Sequence, residues 1–366
     1  MRSRSSGSLS DGIDRGFPVT PGPSLPQEDL EHVLAHTRAL WPVARGGRIF
    51  ITGGTGFLGL WLLETFAHAN DTLRLGMNAV VLTRDPAAFA RKTPHLAARA
   101  DLAFVPGDVR GFTFPPGPFT HVVHAATAAS VKLNDEAPQE MLDTIVAGTR
   151  RVLEFSAQAG VKKLLFTSSG AVYGPQPSTL THVPEDYSAA PGSLRPDSAY
   201  AEGKRVAEQL CLEHARQYGC EVKIARGFAF VGPHLPLDTH FAVGNFIRDA
   251  RRGGPVRVNG DGTPLRSYLY AADLAVWLWT ILFQAPSGRA YNVGSDADLT
   301  IAALAKLVAS SLGGGCEVIV AQPAVPGKPT SRYVPDVQRA RKELGLTVAI
   351  DLPTALARTS RWLGPA

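Results

Sequence analysis

The stretch Ile49-Phe50-Ile51-Thr52-Gly53-Gly54-Thr55-Gly56-Phe57-Leu58-Gly59 decides the fold of this chain. The largely apolar residues 48–52 predict a strand, and the apolar stripe along residues 60–66 predicts the helix that follows. A glycine-rich turn between a strand and a helix lets the backbone approach a pyrophosphate, and the first N–H groups of the helix point at that charge. The run therefore predicts a dinucleotide-binding site.

The glycines of this run fit two spacings. Gly54, Gly56 and Gly59 satisfy G-x-G-x-x-G. Gly53, Gly56 and Gly59 satisfy T-G-x-x-G-x-x-G, because a threonine precedes the first of them. In either spacing Gly56 brings the backbone near the phosphates, and Gly59 lets the helix pack closely on the strand. A tight turn of any α/β domain is the alternative, and the strand and helix around the run favour the dinucleotide site.

The second predicted strand, residues 79–82, ends at Thr83-Arg84-Asp85. A residue at this place reads the adenosine ribose in dinucleotide folds: an acid favours the free 2′-hydroxyl of NAD, and an arginine accepts the 2′-phosphate of NADP. Arg84 favours NADP, whereas Asp85 leaves NAD open. A solvated charge at a strand end explains Arg84 equally well, so the sequence predicts NAD with NADP as the alternative.

Composition excludes several classes of function. The chain has 366 residues and a net charge of +5 with dispersed basic residues, which argues against nucleic-acid binding. Cys211, Cys220 and Cys316 form no C-x-x-C pair, which fits a reducing cytoplasm. His121 and His124 point to opposite faces of a predicted strand, so no metal site is expected. No apolar run approaches membrane-spanning length, and no membrane association is expected.

Strand-like and helix-like segments alternate along the first two thirds of the chain, which predicts a parallel sheet with helices on both faces. We expect an α/β, Rossmann-like, doubly wound parallel sheet over residues 46–226. Residues 227–366 are expected to form a smaller substrate-binding lobe interleaved with it. Residues 1–26, rich in Ser, Gly, Pro and Arg, predict a flexible tail, and residues 27–45 predict an added helix.

A second set of residues indicates hydride-transfer chemistry. Tyr200 and Lys204 lie four apart at the start of a predicted helix and therefore share a face. A nearby ammonium is expected to lower the pKa of the tyrosine from about 10 toward working pH, so that the phenol takes a proton from a substrate hydroxyl. Ser169 ends the preceding predicted strand, where its hydroxyl would bond the reacting oxygen; a serine that bonds its own backbone is the alternative.

Together these motifs resemble the extended short-chain dehydrogenase/reductases, and more narrowly the NAD-dependent epimerase/dehydratases of nucleotide sugars. The similarity covers residues 48–346. Its motifs, in order, are T-G-G-T-G-F-L-G at 52–59, G-D-V at 107–109, H-A-A at 124–126, S-S-G-A-V-Y-G at 168–174, Y-A-E-G-K at 200–204 and R-S-Y-L-Y-A-A-D-L at 266–274.

The resemblance implies a role for each matching residue. Ser169, Tyr200 and Lys204 would be catalytic, and Arg266 and Arg332 would contact the substrate diphosphate, since a guanidinium binds phosphate bidentately. For Arg332 a structural ion pair is the alternative. The expected cofactor contacts are Gly53, Gly56, Phe57, Leu58, Gly59, Arg84, Asp108, Val109, Ala125, Ala126, Thr167, Tyr200 and Lys204.

Departures from the family pattern narrow the expected reaction. Nucleotide-sugar 4,6-dehydratases usually carry an Asp-Glu pair where this chain has Gly170 and Ala171, and UDP-glucuronate decarboxylases usually keep a Glu at the position of Ala171. Residues without protons to transfer disfavour both reactions and favour epimerisation. The usual substrate-binding Asn is replaced by Ala229, so Asn245 is expected to substitute for it as a substrate contact.

The sequence therefore predicts an NAD(P)-dependent nucleotide-sugar epimerase in which Tyr200 is the acid/base. An NADPH-dependent keto-sugar reductase is the first alternative, motivated by Arg84. A dehydratase that uses Glu185 or Asp186 is the second, although both are expected to be solvated loop charges. A non-catalytic dinucleotide-binding protein is the third. A homodimer formed through the predicted helices around 142–157 and 206–215 is also expected from the family resemblance.

Overall fold

The computed structural model describes residues 22–127, 131–192, 194–239, 241–312, 314–327 and 329–365. Its helices are α1 Gln27–Thr37, α2 Phe57–Leu73, α3 Pro86–Lys92, α4 Pro94–Ala97, α5 Val131–Glu136, α6 Pro138–Gln158, α7 Ala199–Tyr218, α8 Ala242–Arg251, α9 Ala271–Gln284, α10 Ile301–Leu312, α11 Gln338–Leu344 and α12 Leu352–Trp362. Its strands are β1 Arg48–Thr52, β2 Asn78–Thr83, β3 Leu102–Pro106, β4 His121–His124, β5 Lys163–Ser169, β6 Glu221–Gly227, β7 Phe230–Val231, β8 Val256–Val258, β9 Leu265–Ser267, β10 Leu269–Tyr270, β11 Arg289–Val293, β12 Asp298–Thr300, β13 Val318–Val320 and β14 Arg332–Tyr333.

Seven of these strands form one parallel sheet in the order β11-β6-β5-β4-β1-β2-β3. The chain runs from β1 outward to β3, then returns to the other side of β1 and runs outward again through β4, β5 and β6. The order therefore reverses between β1 and β4, the place where open α/β sheets bind ligands at the carboxyl ends of their strands. The predicted doubly wound, Rossmann-like fold is confirmed.

Both faces of the sheet are covered by helices, as an all-parallel sheet requires. On one face α2 and α9 bury the large aromatic side chains Trp61, Trp277 and Trp279. On the other face α6 and α7 cover a cluster that includes Phe50 and Phe155, whose ring centroids lie 4.6 Å apart. This second layer fixes α7 against β5 and β6, so the candidate catalytic helix is held on a rigid support.

The C-terminal part of the chain contributes to the main sheet and also forms separate small sheets. β11 adds the seventh strand to the main sheet, and α9 packs on that sheet. The rest forms small sheets, of which the three-stranded β12-β9-β14 carries Arg266 and Arg332. Within the described ranges, no helix is both long and apolar enough to cross a membrane.

The N-terminal segment is tied to the C-terminal helix. Most of the predicted tail lies outside the described residues, but its last five, 22–26, are docked: Leu25 is buried, and the Ser24 carbonyl accepts a hydrogen bond of 2.9 Å from the Trp362 indole N–H. The added helix predicted over 27–45 ends earlier, at Thr37, and a short 3-10 turn at Trp41–Ala44 completes the segment.

A buried carboxylate holds this segment in place. Asp29 on α1 is fully buried and accepts hydrogen bonds from Tyr270 Oη at 2.6 Å and from Arg358 Nη1 at 2.5 Å. Burial is the largest influence on the pKa of Asp29 and raises it, while the two donors act in the opposite direction. These two hydrogen bonds anchor α1 to the body of the protein.

Arg358→Met is expected to lower the free energy of unfolding by about 2 kcal/mol, because it leaves a buried carboxylate with one donor fewer. The matched control is Arg361→Met on the same helix. Arg361 is exposed and bonds the exposed Glu28, so its loss is expected to cost less than about 0.5 kcal/mol. Urea unfolding of both variants measures the difference, and equal losses would contradict the anchoring role of Asp29.

Candidate active site

The glycine-rich turn after β1 has no room for side chains on three of its glycines. A Cβ on Gly54 would lie 2.6 Å from Val81 Cγ1. Gly53 has a φ of +73°, and a Cβ there would lie 2.5 Å from the Ala125 carbonyl. A Cβ at Gly59 would overlap the Gly53 carbonyl oxygen and the Gly54 backbone. Gly56 differs, because it is exposed and a Cβ there would meet nothing closer than 3.5 Å.

These features fit a pyrophosphate on the open side of the turn. Gly56 precedes α2, and Phe57 and Leu58 are the first residues of that helix, so their N–H groups belong to its N-terminal turn. Beyond the neighbouring strand β4, the Thr127 hydroxyl is buried and has no hydrogen-bond partner among the described residues. A buried polar group of this kind calls for a partner, and a dinucleotide phosphate or ribose would supply one.

The two acids expected near the adenosine already have partners. Arg84 is exposed, and the Asp85 carboxylate caps α3 by accepting the Ala88 N–H at 2.8 Å. Asp108 accepts two hydrogen bonds from Arg110, at 2.8 and 3.0 Å, and this guanidinium lowers the pKa of Asp108. Both carboxylates therefore already have hydrogen-bond partners within the protein.

The other expected cofactor contacts lie at the carboxyl ends of strands around the turn. Ala125 and Ala126 follow β4, and their N–H groups donate to the Thr52 carbonyl and the Thr52 hydroxyl, both at 3.1 Å. Val109 is buried, and a Cβ at Gly148 would lie 2.8 Å from it. The backbone of Ala125 and Ala126 therefore lies beside the glycine turn, at the reversal of strand order.

The three expected catalytic residues come together. Ser169 ends β5, Tyr200 lies in the first turn of α7, and Lys204 lies one turn later. Lys204 is 1% exposed and donates from Nζ to the Thr167 carbonyl at 2.8 Å. Burial lowers the pKa of this lysine to about 8.

The expected effect of Lys204 on the pKa of Tyr200 is wrong. Burial raises the pKa of Tyr200, and the Ser169 hydroxyl is the group that acts against this rise. The Lys204 Nζ lies 6.0 Å from the centre of the Tyr200 ring and bonds the backbone instead of the phenol. The i, i+4 spacing brings the two residues together but does not bring their polar ends into contact.

Lys204 should make stability depend on alkaline pH. Its pKa of about 8 lies below the ordinary lysine value, so between the two the unfolded chain binds more protons and stability rises with pH. Above pH 8, the difference in unfolding free energy between the wild type and Lys204→Met should shift in favour of the wild type by up to about 1.4 kcal/mol per pH unit. Urea unfolding from neutral pH upward measures this. The exposed Lys342→Met is the control, and parallel curves for the wild type and Lys204→Met would refute the effect.

A buried polar network supports the site from behind. Glu208, one turn after Lys204, accepts a hydrogen bond from Ser168 Oγ at 2.5 Å and two from Arg226 at 2.9 and 2.6 Å. Arg226 also donates to Tyr173 Oη at 2.9 Å. The network joins α7 to the ends of β5 and β6. Sequence reasoning missed it, although Glu208 shares the helix face of Tyr200 and Lys204.

The two arginines of the small sheet, Arg266 and Arg332, differ in whether an acid pairs with them. Arg266 is half-buried and donates to the Leu265 carbonyl at 2.8 Å; no carboxylate in the described part of the chain pairs with it. Arg332 pairs with Asp298 at 3.1 Å, so the structural ion pair is present. Both arginines line one cavity of about 450 Å³.

The expected substitute donor Asn245 is engaged elsewhere. Its amide donates to the Thr239 carbonyl at 3.0 Å and accepts from Arg248 at 3.1 Å. The two loop acids differ from one another. Asp186 is exposed as expected. The Glu185 side chain is only 3% exposed, so the expectation that it is a solvated loop charge is wrong.

Glu185 has structural partners instead of a catalytic position. It accepts the Asn292 backbone N–H at 2.9 Å and lies 3.6 Å from Arg339. An acid committed to these partners is poorly placed to remove a substrate proton. Within the described ranges, no group of three or more His, Cys, Asp or Glu side chains could hold a metal ion.

An aromatic residue occupies the place where a side chain at position 170 would project. A Cβ on Gly170 would lie 2.7 Å from Phe228 Cζ, so an acid at this position would require the ring to move. Phe228 in turn packs on Tyr333, with 4.6 Å between the ring centroids. Tyr333 Oη lies 3.4 Å from Ser169 Oγ, a contact that no sequence motif indicated.

Comparison with known proteins identifies the family of this chain. The sequence profile of the NAD dependent epimerase/dehydratase family matches residues 49–294. UDP-glucuronic acid decarboxylase 6 of Arabidopsis thaliana is 30% identical over 313 residues, which cover 84% of this chain and 86% of that protein.

Solved structures have the same fold. The UDP-glucose 4-epimerase of Thermus thermophilus in complex with NAD is 27% identical, with a TM-score of 0.70 over 87% of this chain and 100% of that one. DesIV, a dTDP-glucose 4,6-dehydratase from Streptomyces venezuelae, is 24% identical, with a TM-score of 0.70 over 86% of this chain and 96% of that one. The chain therefore belongs to the NAD dependent epimerase/dehydratase family of the extended short-chain dehydrogenase/reductases, enzymes of nucleotide sugars whose cofactor is NAD.

Proposed function

We propose that this protein is a nucleotide-sugar epimerase that transiently oxidises a sugar hydroxyl. The observation that carries the proposal is the meeting of Ser169 and Tyr200 at the carboxyl end of β5, with no proton-transferring side chain at Gly170 or Ala171. Dehydration and decarboxylation need an additional group near the reacting sugar, whereas epimerisation needs only reversible oxidation and a turn of the ketone.

The glycine turn would hold NAD, which would supply a reversible hydride acceptor for the carbon that bears the reacting hydroxyl. Tyr200 takes the proton of that hydroxyl and gives it back, which is general acid–base catalysis. Ser169 donates a hydrogen bond to the same oxygen. Lys204 holds its charge under the Tyr200 ring and fixes the Thr167 carbonyl at the end of β5. Ser169 and Lys204 are buried, whereas Tyr200 is partly exposed.

For the substrate, we propose that Arg266 binds the diphosphate. Its guanidinium is half-buried and faces no acid in the described part of the chain, so an anionic ligand would compensate its desolvation. Arg332 would contribute less, because Asp298 already pairs with it. The cavity that both arginines line, about 450 Å³, is of ordinary ligand size.

We also propose a homodimer through α6 and α7. Leu142 and Val206, one on each helix, are large apolar side chains that are 37% and 43% exposed. A second copy packed on these helices would cover both residues.

Decarboxylation is the second candidate function, because the curated relative described above is a UDP-glucuronic acid decarboxylase. Against it stands Ala171, which lacks the acid expected at that position. A keto-sugar reductase that consumes NADPH is the third; its only support, Arg84, is an exposed side chain.

Incubation of the purified protein with a panel of UDP-, dTDP-, GDP- and CDP-sugars, with NAD present, tests these candidates. Epimer formation without net change in the cofactor is the expected result. Release of CO2 from UDP-glucuronate would identify a decarboxylase, and net consumption of NADPH with a keto-sugar would identify a reductase. If no epimer forms from any sugar, the epimerase proposal fails.

A further inference from the structure

The hydroxyl of Ser169 has a nearly complete set of partners. A serine hydroxyl offers one proton and two acceptor positions. The Ala171 backbone N–H donates to Ser169 Oγ at 3.1 Å and fills one acceptor position. Tyr333 Oη, 3.4 Å away, lies where it could fill the second. Tyr200 also lies within hydrogen-bond reach of this hydroxyl.

Tyr333 is held in place by its ring and its strand. The ring packs on Phe228, and β14 pairs with β9 so that Tyr333 lies opposite Arg266. Burial raises the pKa of Tyr333 far above the ordinary value, so its phenol remains a proton donor throughout the working range. Its Oη lies 3.4 Å from the Gly227 carbonyl oxygen, which can accept its proton, and 3.4 Å from Ser169 Oγ, where either hydroxyl can be the donor.

If the contact between Tyr333 and Ser169 is a hydrogen bond, two arrangements of protons fit these distances. In the first, Tyr333 donates to Ser169, both acceptor positions of Ser169 are filled, and its proton is directed at Tyr200. In the second, Tyr333 donates to Gly227 and Ser169 donates to Tyr333, which removes the Ser169 proton from the reacting centre. Only the first leaves Ser169 able to donate to a phenolate or to the reacting oxygen.

We propose that Tyr333 is a positioning residue that donates to Ser169 and thereby directs the single Ser169 proton at Tyr200 and the reacting oxygen. The proposal rests on the proposed function for its catalytic consequence, but the proton arrangement itself belongs to the protein alone.

The ligand-free protein provides the first test. A 3,5-difluorotyrosine introduced at position 200 ionises nearer neutral pH than tyrosine, and its 19F signal reports its own protonation. Tyr333→Phe keeps the ring that packs on Phe228 and removes only the donor. The pKa at position 200 should rise in this variant, because Ser169 loses the bond that directs its proton. A fall or no change would overturn the proposal, since the second arrangement predicts a fall.

A double-mutant cycle provides the second test. In the wild-type background Tyr333→Phe should slow the oxidation step roughly three- to tenfold, the worth of about one hydrogen bond. In a Ser169→Ala background the same change should cost nothing further, because Tyr333 acts through Ser169. Losses that add in the two backgrounds would overturn the proposal. Tyr218→Phe, at a tyrosine that is 62% exposed, is the matched control.

The two tests separate the two proposals. If no nucleotide sugar is oxidised by the wild type, the proposed function fails, and the fluorine titration still decides the role of Tyr333. If sugars are oxidised and the titration shows no rise, the function stands and the role of Tyr333 is rejected.

Discussion

Tyr200→Phe should lower turnover about a thousandfold while the protein keeps its fold. Proton transfer by a positioned side chain contributes about 10²- to 10⁴-fold to a rate. The phenylalanine ring fills the same place against the apolar cluster under α7, so packing is conserved. The measurement is single-turnover oxidation of the sugar that the panel identifies, with the KM recorded beside the rate.

The control for this change is Tyr218→Phe at the far end of the same helix, where the side chain is 62% exposed. It should leave both the rate and the KM unchanged. A Tyr200→Phe protein that retains more than a tenth of the wild-type rate would contradict the acid/base role. A raised KM with an unchanged rate would indicate that the phenol only binds the substrate.

The main sheet could be predicted because its signals are local. β1 and β2 are short apolar runs that end at turns, and the strands predicted over residues 48–52 and 79–82 lie within one residue of those observed. The small strands could not be predicted. β14 has two residues, and it is a strand only because it pairs with β9, more than sixty residues earlier in the chain. Such pairing leaves no pattern within the segment itself.

The site was predictable to the same extent. Ser169, Tyr200 and Lys204 lie in short motifs, so their meeting followed from the order of strands and helices. The direction of the Lys204 ammonium did not, because helical spacing fixes neighbouring Cβ positions and not the ends of long side chains. The contact between Tyr333 and Ser169 could not be predicted for another reason. The two residues are 164 positions apart, and packing on Phe228 brings them together.

The roles of the glycines in the turn lead to the second large effect. Gly59→Ala is expected to cost about 3 kcal/mol of unfolding free energy, because its Cβ would overlap the Gly53 carbonyl and the Gly54 backbone, and α2 would have to move off β1. NAD binding should be lost with it. Urea unfolding and calorimetric titration with NAD measure the two losses.

Gly56→Ala separates the fold from the cofactor. Its Cβ would meet no protein atom closer than 3.5 Å, and its φ of −87° suits alanine, so stability should change by less than about 1 kcal/mol. The added methyl group would occupy the open side of the turn, so NAD should bind about tenfold more weakly or worse. Gly111→Ala, where a Cβ meets nothing within 4 Å, should change neither quantity. If Gly56→Ala binds NAD as the wild type does, the pyrophosphate lies elsewhere, and the assignment of this turn is wrong.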